Sequence, residues 1–272
     1  MKQYKLNLKN FSINVTENGK GAQTIIFIHG NSMSSKIWEK QLSSDALAGY
    51  RLLALDLPGH GDSSHSTDPD NNYNVLFYAE IIAAFITETT AQNVILVGHS
   101  LGGNVAIETL TLIKDYKGCI QIASSIINNA AQLSETFLPN PALPCFFTAD
   151  YIEDDVQKFA DAVKGINNPP LPDFVTEDYR KTDKNCRSYL AKSVGENKLS
   201  DELGILQKAT APILLAIGAE DQLVSKDYLK NLSLNKWGNQ VFEIAGAGHC
   251  AQYENADDFN AILRSFCQSV LL

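Results

Sequence analysis

The stretch that most constrains this chain runs from Asn93 to Ile107, Asn-Val-Ile-Leu-Val-Gly-His-Ser-Leu-Gly-Gly-Asn-Val-Ala-Ile, where an apolar run meets a glycine-flanked serine and then a helical pattern. It reads as strand, sharp turn and helix. Val94 to Val97 is a continuous buried-strand run, and Leu101, Val105, Ile107 and Leu110 supply the apolar face of the helix that follows. In a Gly-x-Ser-x-Gly turn of this kind Ser100 is expected to be strained, with its hydroxyl exposed above the sheet. Gly98 and Gly102 remove the Cβ atoms that would collide across so tight a turn. The pentapeptide alone also arises as a plain structural turn; the strand before it and the helix after it are what point to a nucleophile.

A chain of 272 residues suits one large domain, or one domain with an insertion. The formal net charge of −9 argues against nucleic acid or an anionic membrane surface as partner, because both are bound through clustered Lys and Arg. A small uncharged substrate fits better. Five scattered cysteines, Cys119, Cys145, Cys186, Cys250 and Cys267, include no C-x-x-C pair. They suggest neither a disulfide framework nor a zinc site, and read as buried thiols. The first ten residues alternate polar and apolar instead of forming a signal-peptide core, and no run is long enough to span a membrane, so a cytoplasmic location is expected.

Tyr4, Leu6 and Leu8, then Phe11, Ile13 and Val15, alternate with period two and predict an opening antiparallel hairpin. Thr24 to Ile28 and Arg51 to Leu55 are buried strands, each followed by a glycine-containing loop. Residues 74 to 90 carry a helical stripe with Asn74 as N-cap. Gly118 to Ala123 is a further strand. The alternation of strands and helices predicts a mostly parallel, eight-stranded sheet with helices on both faces.

From about residue 129 to 198 that alternation stops. Six of the nine prolines fall there, at 139, 141, 144, 169, 170 and 172, so the segment is not part of the sheet. Helical stripes at 154 to 163 and about 187 to 194 predict an inserted helical cap, with 1–128 and 199–272 forming the core. The core rhythm resumes as helix 201–207, strand 212–217, helix 227–232, strand 240–244 and a closing helix 256–267.

A serine hydroxyl is a poor nucleophile at neutral pH unless a base takes its proton and a carboxylate orients that base. Both partners occur in loops that directly follow strands: Gly218-Ala219-Glu220-Asp221 and Gly246-Ala247-Gly248-His249. That is the sheet edge where open α/β sheets bind ligands. Ser, acid, His is also the chain order of the α/β-hydrolase arrangement, as opposed to the trypsin and subtilisin orders. His29, His60 and His99 sit in glycine-rich turns, where an imidazole ordinarily hydrogen-bonds the turn. His60, Asp62 and His65 lack the further His or Cys that a metal site needs, so no metal and no cofactor are expected.

With His29-Gly30, Asp56-x-Pro58-Gly59-x-Gly61-x-Ser63, Gly98-His99-Ser100-Leu101-Gly102-Gly103, Asp221 and Gly248-His249 all in order, the chain resembles the α/β-hydrolases from end to end. The resemblance implies Ser100, Asp221 and His249 as catalytic triad, with Asp221 preferred to Glu220 as acid. It implies an oxyanion hole made by the backbone N–H groups of Asn31 and Leu101. A serine at position 100 separates the chain from the dehalogenase and epoxide-hydrolase branches, which use aspartate there, and leaves ester, thioester, lactone or amide cleavage.

His29-Gly30-Asn31-Ser32-x-Ser34, Asp56-Leu57-Pro58-Gly59-His60-Gly61 and Thr182-Asp183-x-x-x-Arg187 are similar to the serine-dependent N-acyl homoserine lactone lactonases of this fold. Phe159 departs from that group, which carries a tyrosine there, so a hydroxyl contact to the lactone head is lost. Phe146, Phe147, Phe159 and Phe174 are expected to line an acyl pocket beneath the cap, or else to pack the cap onto the core. The alternatives are a general carboxylesterase, and a hydrolase-fold receptor that binds a small ligand with little turnover.

Overall fold

The structure is a computed structural model, and it describes residues 1–270. Eight strands form one sheet: β1 (Lys2–Leu8), β2 (Phe11–Asn18), β3 (Thr24–Ile28), β4 (Arg51–Leu55), β5 (Val94–His99), β6 (Tyr116–Ile122), β7 (Ile213–Gly218) and β8 (Lys236–Ile244). Their order is β1-β2-β4-β3-β5-β6-β7-β8. β1 and β2 are antiparallel to their neighbours, and every pairing from β4 to β8 is parallel. This is the α/β-hydrolase fold.

The opening hairpin closes with Leu8 paired to Phe11. The two residues between them, Lys9 (φ 45°) and Asn10 (φ 71°), both take the left-handed conformation of a type I′ turn. Every residue of β3, β5 and β7 is buried, which is why these strands read as unbroken apolar runs and not as alternating ones.

Helices α1 (Val75–Glu88), α2 (Leu101–Thr109), α3 (Glu153–Ala162), α4 (Phe174–Lys181), α5 (Lys184–Gly195), α6 (Glu202–Lys208) and α7 (Ala256–Val270) are the longer ones. Asn74 caps α1 by accepting the N–H of Phe77 at 2.9 Å, as its position before the stripe predicts. α1 packs on α2 and α2 on α6, whereas α7 packs on the 35–47 segment and on β6 and β8. The two groups cover opposite faces of the sheet. On β6, Gly118 abuts the Phe266 ring of α7, while Gln121 abuts Gly103 of α2.

Residues 123–212 add no strand to the sheet and contain α3 to α6. α3 and α5 match the two stripes read from the sequence. α4 was not expected, because its buried positions Val175, Asp178 and Tyr179 include a carboxylate in the place of an apolar residue. β8 begins four residues before the expected strand, at Lys236; its first part is mostly exposed, with Gly238 (φ 68°) and Asn239 (φ 54°) in left-handed conformation. An edge strand that bends in this way carries no apolar alternation.

Candidate active site

Ser100 joins β5 to α2 with φ 52° and ψ −122°, a backbone conformation that costs on the order of 1–3 kcal/mol for a residue with a side chain. The turn is as tight as the glycines implied. A Cβ on Gly98 would lie 2.3 Å from the Gly102 carbonyl oxygen, and one on Gly102 would lie 2.2 Å from that of Ile28. The strain is held by two backbone hydrogen bonds, Ser100 N–H to the Ile122 carbonyl and Gly103 N–H to the Ser100 carbonyl, both 2.8 Å.

His249 and Asp221 meet across the ends of β8 and β7. His249 Nδ1 lies 2.9 Å from Asp221 Oδ2, and each side chain is 2% exposed. The second carboxylate oxygen, Oδ1, accepts the N–H groups of Leu223 (2.8 Å) and Val224 (3.0 Å), so the carboxylate is fixed from both sides. Glu220, its neighbour in sequence, makes no such contact; its Oε2 is buried without a partner among the described residues. With Nδ1–H donated to Asp221, His249 Nε2 is left as an acceptor.

Ser100 and His249 line one cavity of about 260 Å³, together with Asn31 and Leu101. The N–H of Leu101 belongs to the first turn of α2 and has no intrahelical acceptor. The Asn31 side chain is occupied elsewhere: its Nδ2 donates to the Phe146 carbonyl at 2.7 Å. It therefore braces the loop, and the backbone N–H of Asn31 has no hydrogen-bond partner among the described residues.

The cavity wall is mostly apolar, from Val75, Ile127, Leu133, Phe137, Leu143, Phe146, Phe147, Leu190, Val194 and Leu223. Two of the four expected phenylalanines, Phe146 and Phe147, thus line it. The other two do not. Phe159 is fully buried one layer behind, with its ring centroid 4.9 Å from that of Phe146 and 4.7 Å from that of Tyr179. Phe174 packs edge-on against Tyr253 at 5.5 Å. Their size and apolar character pointed to a pocket, but aromatic residues on short helices bury equally well against one another.

The remaining histidines hold the scaffold. His29 Nδ1 donates to the Gly30 carbonyl at 2.7 Å, and its Nε2 accepts the Leu57 N–H at 3.0 Å. His99 Nε2 donates to the His249 carbonyl at 2.9 Å, so the residue before the serine positions the histidine's own backbone. Burial pushes the pKa of His29, His60 and His99 below the usual histidine value, so each is neutral at pH 7. Asp56 is likewise structural: it accepts the Ser35 N–H at 2.7 Å and the Asp62 N–H at 2.8 Å, tying the loop after β4 to the loop after β3.

Four further positions shape the site; Arg187 stands in a sequence motif that assigns it no role, and the other three carry no clear signal in the sequence. Arg187 is fully buried, stacks 4.3 Å from the Tyr179 ring centroid and donates to Ser32, Thr148 and Tyr179. It thereby clamps α5 to the Asn31 loop. Glu254 accepts the N–H of Gly248 and that of Gly165, both at 2.7 Å, which anchors the His249 loop to the end of α3. Asn104 and Glu202 line the cavity and bond one another. All four are charged or polar types that are usually exposed, so their burial and contacts show only in the fold.

Residues 23–256 match the alpha/beta hydrolase fold family, and the chain belongs to it. Among its relatives is AB hydrolase superfamily protein YisY of Bacillus subtilis, 25% identical over 261 residues that cover 90% of this chain and 91% of that protein. A 2-hydroxy-6-oxononadienedioate/2-hydroxy-6-oxononatrienedioate hydrolase of Klebsiella pneumoniae is 20% identical over 95% of this chain and 91% of its own. Among solved structures, N-acyl homoserine lactonase AidH complexed with N-butanoyl homoserine superposes with a TM-score of 0.93, at 25% identity over 99% of this chain and 97% of that one.

Proposed function

We infer that the protein is a serine hydrolase that cleaves a carboxylic ester or lactone through an acyl-enzyme, with an N-acyl homoserine lactone as the favoured substrate class. The observation that carries this reading is the 2.9 Å His249–Asp221 contact at the wall of an apolar cavity that also receives Ser100. Support for the lactone comes from the likeness to AidH, which extends over nearly the whole of both chains.

Ser100 Oγ attacks the substrate carbonyl carbon while His249 Nε2 takes its proton. Negative charge moves to the carbonyl oxygen, where the N–H groups of Asn31 and Leu101 receive it, each worth about 3 kcal/mol in the transition state. Asp221 holds the imidazole in the right tautomer and stabilises the imidazolium. His249 then protonates the departing alkoxide, which for a lactone is the other end of the same molecule. Water, deprotonated by His249, attacks the acyl-enzyme and releases the acid.

Residues 129–198 act in this reading as a cap over a core of 1–128 and 199–272. Leu133, Phe137, Leu143, Phe146 and Phe147 from the cap segment close the cavity over Ser100 and hold the acyl chain. Phe159 supplies no hydroxyl to the lactone head, and its depth behind Phe146 keeps it from touching the substrate.

The test is acid release from N-hexanoyl and N-decanoyl homoserine lactones beside p-nitrophenyl butyrate. Lactone turnover supports the full reading. Ester hydrolysis without lactone turnover would reduce it to a carboxylesterase, and turnover of neither would overturn it.

A further inference from the structure

One wall of the apolar cavity is polar and takes no part in the chemistry at Ser100. It consists of Asn104 on α2, Ser125 after β6 and Glu202 at the start of α6, all three of which line the cavity. Glu202 is 1% exposed and Asn104 8% exposed. Asn104 Nδ2 donates to the Ser125 carbonyl at 2.7 Å and to the two Glu202 oxygens at 3.0 and 2.9 Å, and the Ile127 N–H donates to Glu202 Oε2 at 3.0 Å.

The polar capacity of this wall is not used up. The Ser125 carbonyl accepts from Asn104 Nδ2, which fixes the amide so that its Oδ1 points elsewhere. Among the described residues neither Asn104 Oδ1 nor the Ser125 hydroxyl has a hydrogen-bond partner, neither atom is fully buried, and both residues line the cavity. Burial, together with the nearby carboxylate of Glu108, pushes the Glu202 carboxyl up to about 8. At neutral pH it is therefore largely protonated and has an O–H to give. Its protein partners, Asn104 Nδ2 and Ile127 N–H, are donors only. A proton on Glu202 thus finds its acceptor in the cavity, and Asn104 Oδ1 beside it seeks a donor.

A hydroxyl satisfies both requirements at once, accepting from the carboxyl and donating to an amide oxygen. A methylene in the same place would leave both buried groups unpaired, at a cost. We propose that Glu202, Asn104 and Ser125 form a subsite that binds a hydroxyl on the acyl chain, so that hydroxyacyl esters are preferred over unsubstituted ones. This rests on the ester-hydrolase reading and names the acyl class that its pocket selects.

The experiment compares kcat/KM for methyl hexanoate with that for the isomeric methyl hydroxyhexanoates that carry the hydroxyl at successive chain carbons. The wild type is expected to favour the best-placed hydroxy isomer roughly tenfold. Glu202→Leu should bring that ratio close to one, Ser125→Ala should lower it, and Glu202→Gln, which retains a donor and an acceptor, should keep most of it. Because the ratio is read within each variant, a general loss of activity from disturbing the Ile127 loop cancels. Fluorophosphonate labelling of Ser100 confirms that each variant is folded. Turnover of both ester types with no preference at any position, or a preference that survives both Glu202→Leu and Ser125→Ala, would overturn the subsite and leave the hydrolase reading standing. Turnover of neither ester by the wild type would overturn the hydrolase reading and the subsite with it.

Discussion

His249 Nδ1 lies 2.9 Å from Asp221 Oδ2 while Glu220, one residue earlier, leaves its Oε2 buried without a partner among the described residues. Both acids follow β7; the family resemblance prefers Asp221, and the geometry sets that residue, not Glu220, against the imidazole. Asp221→Asn keeps the shape but lets the imidazole turn to the wrong tautomer, and kcat should fall on the order of 10⁴-fold. Glu220→Gln should cost far less. Steady-state kinetics on a p-nitrophenyl ester checks both, and the reverse order of effects would make Glu220 the orienting acid.

The Asn31 side chain is engaged by the Phe146 carbonyl at 2.7 Å, so in the proposed mechanism its backbone N–H, and not its amide, receives the oxyanion. Asn31→Ala keeps that N–H and should lower kcat about tenfold or less, through a looser loop. A loss of about 10²–10³-fold, the usual cost of an oxyanion donor, would show that the side chain itself turns toward the substrate.

Glu202 has a carboxyl raised by burial from the ordinary value to about 8. The folded protein therefore holds a proton that the unfolded chain releases near pH 4.5, and stability falls as pH rises between those values, by up to about 1.4 kcal/mol per unit. Glu202→Gln removes this titration. In urea unfolding at pH 5 and pH 8, the stability of the variant relative to wild type should increase with pH. Parallel curves would mean that the carboxyl is already ionised in the folded state.

Arg187 donates to the carbonyls of Thr148 and Tyr179 and to the Ser32 hydroxyl from a fully buried position. Arg187→Met fills similar space but leaves those acceptors unpaired, and should destabilise by about 2–3 kcal/mol. Because Ser32 follows Asn31, kcat should fall as well. Unfolding midpoints and kinetics measured together test this, and unchanged values would make the clamp idle.

The central strands were legible because a parallel strand buried on both faces leaves an unbroken apolar run, as at Thr24 to Ile28 and Val94 to Val97. Ser100 and Asp221 were legible as site candidates because each follows such a run, and His249 because it follows the strand ending at Ile244, third in the order Ser, acid, His. The polar wall of the cavity was not. Glu202 sits at the start of a short helix, where an acidic residue is ordinarily a solvated contribution to the helix terminus, and its burial depends on Asn104 and Ile127 from distant parts of the chain. Phe159 and Phe174 erred in the other direction. Their chemistry suited a pocket, but the neighbours that cover them, Phe146, Tyr179 and Tyr253, are brought in by packing among short helices.

The claim that an activated serine drives this site is tested most directly by covalent labelling. Incubation with a fluorophosphonate, digestion and mass spectrometry should place one adduct on the peptide that contains Ser100, and His249→Ala should abolish it. An unlabelled Ser100 in a folded protein, or an adduct on a different residue, would contradict the account.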